Sequence, residues 1–168
     1  VNEDILNFNL PEGFYKVIAN LPYHIATPII TKFSRNLKQI DSITVMVQEE
    51  VARRMTANPK TEAFGSLSLY LKFYTEPSYA FHVSRNCFYP KPNVESAIVH
   101  FKPKEPVKVE DEEAFFALIR SVFQKRRKQL KSTIPKEVLE EAKVNPMSRP
   151  EELSLDEFLR LYNILLKR

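Results

Sequence analysis

The sequence has one cysteine, two glycines and no long apolar run. The lone Cys87 excludes an internal disulfide framework and fits a reducing, cytoplasmic setting. His24, His82 and His100 are scattered, and with one Cys they make no credible zinc constellation, so no metal is expected. No stretch approaches the roughly 18 apolar residues that a membrane span needs, and no charged-then-apolar leader opens the chain. No membrane partner is therefore expected. Gly13 and Gly65 are the only glycines, against a usual share of about 7%. The chain also lacks an initial methionine, and "VNEDIL" reads as the tail of a strand and the loop after it. Both features lead us to expect that an upstream segment is missing. What is present is ordinary for a globular protein: 168 residues, 43% hydrophobic and 27% charged, with a net charge of +4. That length allows one domain with a real core, or one domain plus a small appendage. Mild basicity is compatible with an anionic partner but does not demand one.

Periodicity divides the chain. Residues 15–19 (YKVIA) read as a short strand buried on both faces, as parallel strands are. Ile29, Ile30, Phe33 and Leu37 have helical spacing, with Thr27 as the expected cap and Pro28 in the first turn. "SITVMVQ" (42–48) is a second central strand, and "EEVARRM" a helix with Glu49–Arg53 and Glu50–Arg54 spaced i,i+4. After the loop "NPKTEAFGS", residues 67–74 read as a helix, 79–83 as a strand, and 94–101 as a strand with one more polar face. From about residue 102 prolines and charges cluster and strand signals stop. Helices are expected over 114–130, 135–142 and 154–166, the last opened by a Ser154/Glu157 capping box. The expected organisation is an α/β domain over 1–103 followed by a small all-α domain over 104–168.

Where the first strand ends, the chain reads Asn20-Leu21-Pro22-Tyr23. Strand ends are where open α/β sheets bind ligands. An exocyclic amine on a nucleobase is a poor nucleophile because its lone pair is delocalised into the ring. Two acceptors aimed at its hydrogens, the Asn20 side-chain carbonyl and the Leu21 main-chain carbonyl, would localise that pair. Pro22 would stiffen the turn, and Tyr23 would stack on the base. Positioning would then be the main catalytic device. The plainer reading is a turn, with Asn20 capping it and Tyr23 covering the sheet end.

A second aromatic-proline loop, "NCFYPKPNVES", lies between the last two strands and shifts that balance. In order and spacing, "NLPY", "VMVQEEVARRM", "FGSLSLYLKFY" and "CFYPKPNVESAIVHF" resemble the KsgA-type ribosomal RNA adenine N6-dimethyltransferases. "FQKRRKQLKSTIP" and "LSLDEFLRLYNILLKR" are similar to that family's helical C-terminal domain. The resemblance covers essentially the whole chain. It implies a Rossmann-like class I methyltransferase sheet and S-adenosylmethionine-dependent methylation of adenines in small-subunit rRNA. It further implies that Asn20 and Leu21 hold the target amine, that Tyr23 stacks the adenine, and that Phe88 closes over the base from the other side. Asp4 matches the family's acidic residue near the cofactor's adenine, and Asn20 borders the cofactor as well. The plainer readings are a core plug for Phe88 and an exposed loop carboxylate for Asp4.

The chain departs from that pattern in one respect. It has neither a glycine-rich turn nor the acidic residue that would hold the cofactor's ribose, and so would begin at the family's third motif. Two expectations follow: poor cofactor binding by this chain alone, and self-association through an exposed strand edge at 15–19.

Basic residues cluster locally. Residues 114–136 hold Arg120, Lys125, Arg126, Arg127, Lys128, Lys131 and Lys136 and no acid, whereas the two parts of the chain each net +2. On a continuous helix Arg120, Gln124, Arg127 and Lys131 would lie opposite Phe115, Ile119, Val122 and Phe123. Arg120, Lys125, Arg127, Lys128 and Lys131 are the expected phosphate contacts; Arg126, near the apolar face, is expected to pair with an acid at the domain junction. The rival readings are a related large-subunit rRNA methyltransferase, an RNA-binding or ribosome-assembly module without catalysis, and, more distantly, a DNA adenine methyltransferase. Enzymes of that last kind usually read Asp-Pro-Pro-Tyr or Asn-Pro-Pro-Tyr, and here the second position is Leu21.

Overall fold

A computed structural model describes residues 2–9, 12–105 and 107–168, with the side chain of Leu37 outside the description. Its residues cluster into two compact units, one made of residues 1–56 and 74–106 and the other of 57–73 and 107–168.

The first unit is built on a four-stranded sheet of order β1-β2-β4-β3. The strands are β1 (Tyr15–Asn20), β2 (Ile40–Gln48), β3 (Thr75–Val83) and β4 (Ser96–Pro103). β1 and β2 pair in parallel through the crossover helix α1 (Ala26–Arg35), and the remaining pairs are antiparallel. The mixed α/β sheet agrees with the expected fold class. Ile43, Val45 and Val47 of β2 and Ala97, Val99 and Phe101 of β4 are buried, the alternation of strands packed on one face. α2 (Glu49–Thr56) follows β2 directly, contacts β3 and β4, and holds the expected Glu49–Arg53 pair at 2.7 Å.

Three expectations are corrected in this unit. β1 is not buried on both faces: it pairs only with β2 among the described strands, its residues alternate in exposure, and Ile18 is 80% exposed. α1 is not capped by Thr27. The Ile25 N–H bonds the Pro22 carbonyl at 3.1 Å, and that turn feeds the chain into the helix with Ile25, two residues earlier, at the cap position. Pro28 still falls in the first turn, where its missing N–H has no intrahelical acceptor to serve. Finally, β3 starts at Thr75 rather than 79, because pairing with β4 recruits Glu76 and Pro77 despite their weak strand preference. A bulge between Tyr79 and Phe81 leaves Ala80 unpaired.

The second unit is helical: α3 (Ser66–Tyr74, whose last residue belongs to the first unit), α4 (Glu112–Gln124), α5 (Lys136–Glu141) and α6 (Leu155–Leu166), with short 3₁₀ turns between them. Aromatic rings fill its core. Phe73 and Phe116 meet edge-to-face at 5.1 Å, as do Phe115 and Tyr162 at 5.4 Å. The Tyr162 hydroxyl also accepts from the Asp111 N–H and donates to the Asp111 carbonyl, both at 3.0 Å, fixing the residue that caps α4. The Ser154/Glu157 capping box is present as expected.

α4 ends at Gln124, not at residue 130. Beyond it the chain bends so that Leu130 is buried and the Leu130 and Lys131 N–H groups bond the Ser148 and Pro146 carbonyls, partners that a continued helix could not reach. The chain turns at Lys125, whose N–H bonds the Val122 and Phe123 carbonyls, and the Lys128 N–H closes the turn on the Lys125 carbonyl at 2.8 Å. The expected single helical face through Arg120, Gln124, Arg127 and Lys131 therefore does not exist.

Candidate functional site

The register of the sheet decides which loops meet. Asn20 ends β1 beside Met46, Gln48 ends β2 beside Ser96, and Val83 ends β3 beside the same Ser96. The segments that follow β1, β2 and β3 therefore leave from one end of the sheet. Asn20-Leu21-Pro22-Tyr23 and the 84–95 loop thus share one mouth although they lie far apart in sequence.

Within the first loop only Leu21 is buried, at 6% exposure, and its N–H bonds the Met46 carbonyl at 3.2 Å. This anchor leaves Asn20 and Pro22 exposed on either side. Among the described residues, neither the Asn20 amide nor the Leu21 carbonyl has a hydrogen-bond partner. The loop therefore presents acceptors to a ligand without having to break internal bonds first. Tyr23 is half-buried, and its hydroxyl is 2.8 Å from the Oγ of fully buried Ser96, at the start of β4. One end of the ring is thereby fixed to the sheet.

Glu95 gathers the second loop. It accepts from the Arg85 N–H at 2.8 Å, pairs with the Arg85 guanidinium at 3.4 Å, and lies 3.1 Å from His82. Its own carbonyl accepts from the Glu49 N–H at 3.0 Å, joining this loop to the end of β2. Phe88 is half-buried, whereas Tyr89, before the cis Pro90, is fully exposed. On β3, the Tyr79 hydroxyl donates to Glu49 at 2.8 Å. Burial first, and then the bond to Glu49 and its charge, raise the Tyr79 pKa above its ordinary value, with Arg53 opposing. Ser96 and Glu95 escaped the sequence reading because their partners are set by register, which no local pattern reports.

Asp4 lies on an exposed turn. Its Oδ1 accepts from the Leu6 N–H at 2.9 Å, and its carbonyl from Asn7 and Phe8, each at 2.9 Å. The other carboxylate oxygen has no hydrogen-bond partner among the described residues.

In the second unit Arg120, Lys125, Arg127, Lys128 and Lys131 are all exposed, and none is in an ion pair among the described residues. Lys131 instead reaches the Met147 sulfur at 3.2 Å. Arg126 stands apart, as expected. It donates to the Glu62 carbonyl and lies 3.8 Å from Glu151. Both partners are inside the second unit, so this acid is not at a domain junction.

No described helix is long and apolar enough to cross a membrane. The family model for ribosomal RNA adenine dimethylase matches residues 1–167. The ribosomal RNA small subunit methyltransferase A of Protochlamydia amoebophila is 45% identical over 181 residues, covering 97% of this chain and 63% of the relative. Its counterpart in Chlamydia muridarum is 44% identical over 165 residues, covering 92% of this chain and 60% of the relative. The chain thus spans about three fifths of the length of these curated relatives. A solved dimethyladenosine transferase from Plasmodium falciparum superposes with a TM-score of 0.83 at 25% identity, over 96% of this chain and 70% of its own. The 23S rRNA methyltransferase ErmE shares the fold, with a TM-score of 0.73 at 23% identity over 98% of this chain and 70% of its own.

Proposed function

Because the chain belongs to the ribosomal RNA adenine dimethylase family, we propose that it forms the base-holding and RNA-contacting portion of an S-adenosylmethionine-dependent enzyme that dimethylates N6 of adenines in small-subunit rRNA. The observation that carries this reading is the pair of acceptors at Asn20 and Leu21, without hydrogen-bond partners among the described residues and set beside a tyrosine whose hydroxyl is tied to Ser96. The two acceptors take the two hydrogens of an adenine amine and localise its lone pair. Tyr23 supports the base by stacking, which is worth roughly 1–3 kcal/mol, and Phe88 closes on it from the second loop. The free oxygen of Asp4 and the Asn20 amide suit the adenine amine and the remaining polar groups of the cofactor. S-adenosylmethionine, when bound, supplies the methyl group. The site's own contribution is orientation in a fixed frame.

Arg120, Lys125, Arg127, Lys128 and Lys131 are read as phosphate contacts, which set affinity and orientation rather than sequence. On this reading residues 104–168 are the RNA-contacting helical domain and 1–103 the later half of the methyltransferase domain.

The test is labelled-methyl transfer from S-adenosylmethionine to undermethylated small ribosomal subunits. It would compare this chain alone with the chain extended upstream by a glycine-rich cofactor segment. Transfer by the extended chain and none by the chain alone is the expected result. Binding to the subunits without transfer in either form would favour an assembly module.

A further inference from the structure

Lys32, on α1, makes a contact that the proposed chemistry does not use. Its Nζ donates to three main-chain carbonyls, those of Ile5, Leu6 and Phe8, at 3.0, 2.8 and 2.6 Å. An ammonium group has three N–H donors, and here each has an acceptor. The carbonyls belong to the turn that begins at Asp4, which is closed from the other side by the Asn7 and Phe8 N–H groups on the Asp4 carbonyl. Three carbonyl dipoles converging on one point repel one another unless a cation sits among them, as at the carbonyl end of a helix. Lys32 is half-buried, so these charge-assisted bonds are partly shielded from water.

We propose that Lys32 is a positioning residue: it shapes the 4–8 turn so that the Asp4 carboxylate is held ready for the cofactor. This rests on the reading of Asp4 given above. Both sides of the site then depend on α1. The helix is entered through the turn in which Ile25 bonds Pro22, directly after the acceptor loop, and two helical turns later it holds the Asp4 turn through Lys32.

The test uses Lys32→Met, which removes the donors and keeps much of the stem, and Lys32→Arg, whose planar fork cannot serve three converging carbonyls equally. Amide hydrogen exchange is measured first, on the 168-residue chain, with β2 and β4 as internal controls for folding. Lys32→Met is expected to speed exchange at Leu6, Asn7 and Phe8 by about tenfold or more, the scale of one lost hydrogen bond to a charged group, and to leave the control amides unchanged. Lys32→Arg should lie between it and the parent.

In the extended chain, Lys32→Met should raise KM for S-adenosylmethionine about tenfold with little change in kcat. Asp4→Ala should match it, and the double variant should be no worse than either alone. Unchanged exchange at residues 6–8 would overturn the proposal. So would faster exchange with an unchanged KM, which leaves the amine-holding chemistry intact. That chemistry is reported separately by Asn20→Ala: if this variant kept full activity, the underlying reading would fall and the proposal with it.

Discussion

The acceptor loop at 20–23 and the basic segment at 125–131 are both proposed to meet RNA, and they are built on opposite principles. The loop is short, anchored by one buried leucine, and tied by a main-chain bond to Met46 and a side-chain bond to Ser96. The basic segment is held by its backbone, by the buried Leu130 side chain and by Arg126. The Lys128 N–H bonds the Lys125 carbonyl, Leu130 bonds Ser148 and Lys131 bonds Pro146, while Lys125, Arg127, Lys128 and Lys131 are exposed. Orienting a reacting nitrogen demands angstrom-level placement. Neutralising phosphates requires only charge within reach, and long side chains that adjust. Arg126 differs from its neighbours in the segment, since it donates to the Glu62 carbonyl and pairs with Glu151.

Three changes test this contrast. The largest effect is expected from Asn20→Ala in the extended enzyme. Removing an acceptor that acts as the amine reacts should lower kcat by about 100-fold or more, comparable to the loss of one preorganised electrostatic group, with RNA affinity nearly unchanged in a filter-binding assay. A large loss of RNA affinity instead would mean that the loop works by binding alone. Next, replacing Lys125, Arg127 and Lys128 together with Gln should weaken RNA binding and flatten its dependence on salt. The slope of log K against log[salt] should fall by about 2, at roughly 0.7 per single-strand phosphate contact, while kcat at saturating RNA holds. An unchanged slope would remove these residues from the interface. The smallest effect belongs to Ser96→Ala. Losing the partner of a half-buried hydroxyl should cost about 1 kcal/mol of stability, measured by urea unfolding, and Tyr23→Phe on that background should cost little more. Full additivity of the two would show that the bond does not couple the residues.

Local signals carried much of the architecture. The Ser154/Glu157 box, the Glu49–Arg53 pair and the apolar β2 run are all decided within a few residues of sequence, and each is found in the structure. Non-local pairing decided what was misplaced. Pro77 argues against a strand until β4 is seen beside it, and the run at 114–130 is helical by composition until Leu130 and Lys131 are seen bonded to Ser148 and Pro146. The candidate site was readable as residue types at strand ends. The contacts that hold it were not: Ser96 lies 73 residues from Tyr23, and Lys32 bonds carbonyls 24 to 27 residues away. Such partners are chosen by the completed fold.

Leu21 has a further implication, for how this loop can change over time. Its side chain is the part buried in the hydrophobic interior, while the chemical duty assigned to it belongs to a main-chain carbonyl that any residue would supply. Its neighbours at positions 20 and 22 are exposed, so altering them removes little from the core. Selection can therefore vary the acceptor at 20 and the stiffness at 22 almost free of any stability threshold. A turn of this design lets its exposed positions change while the scaffold beneath them stays constant.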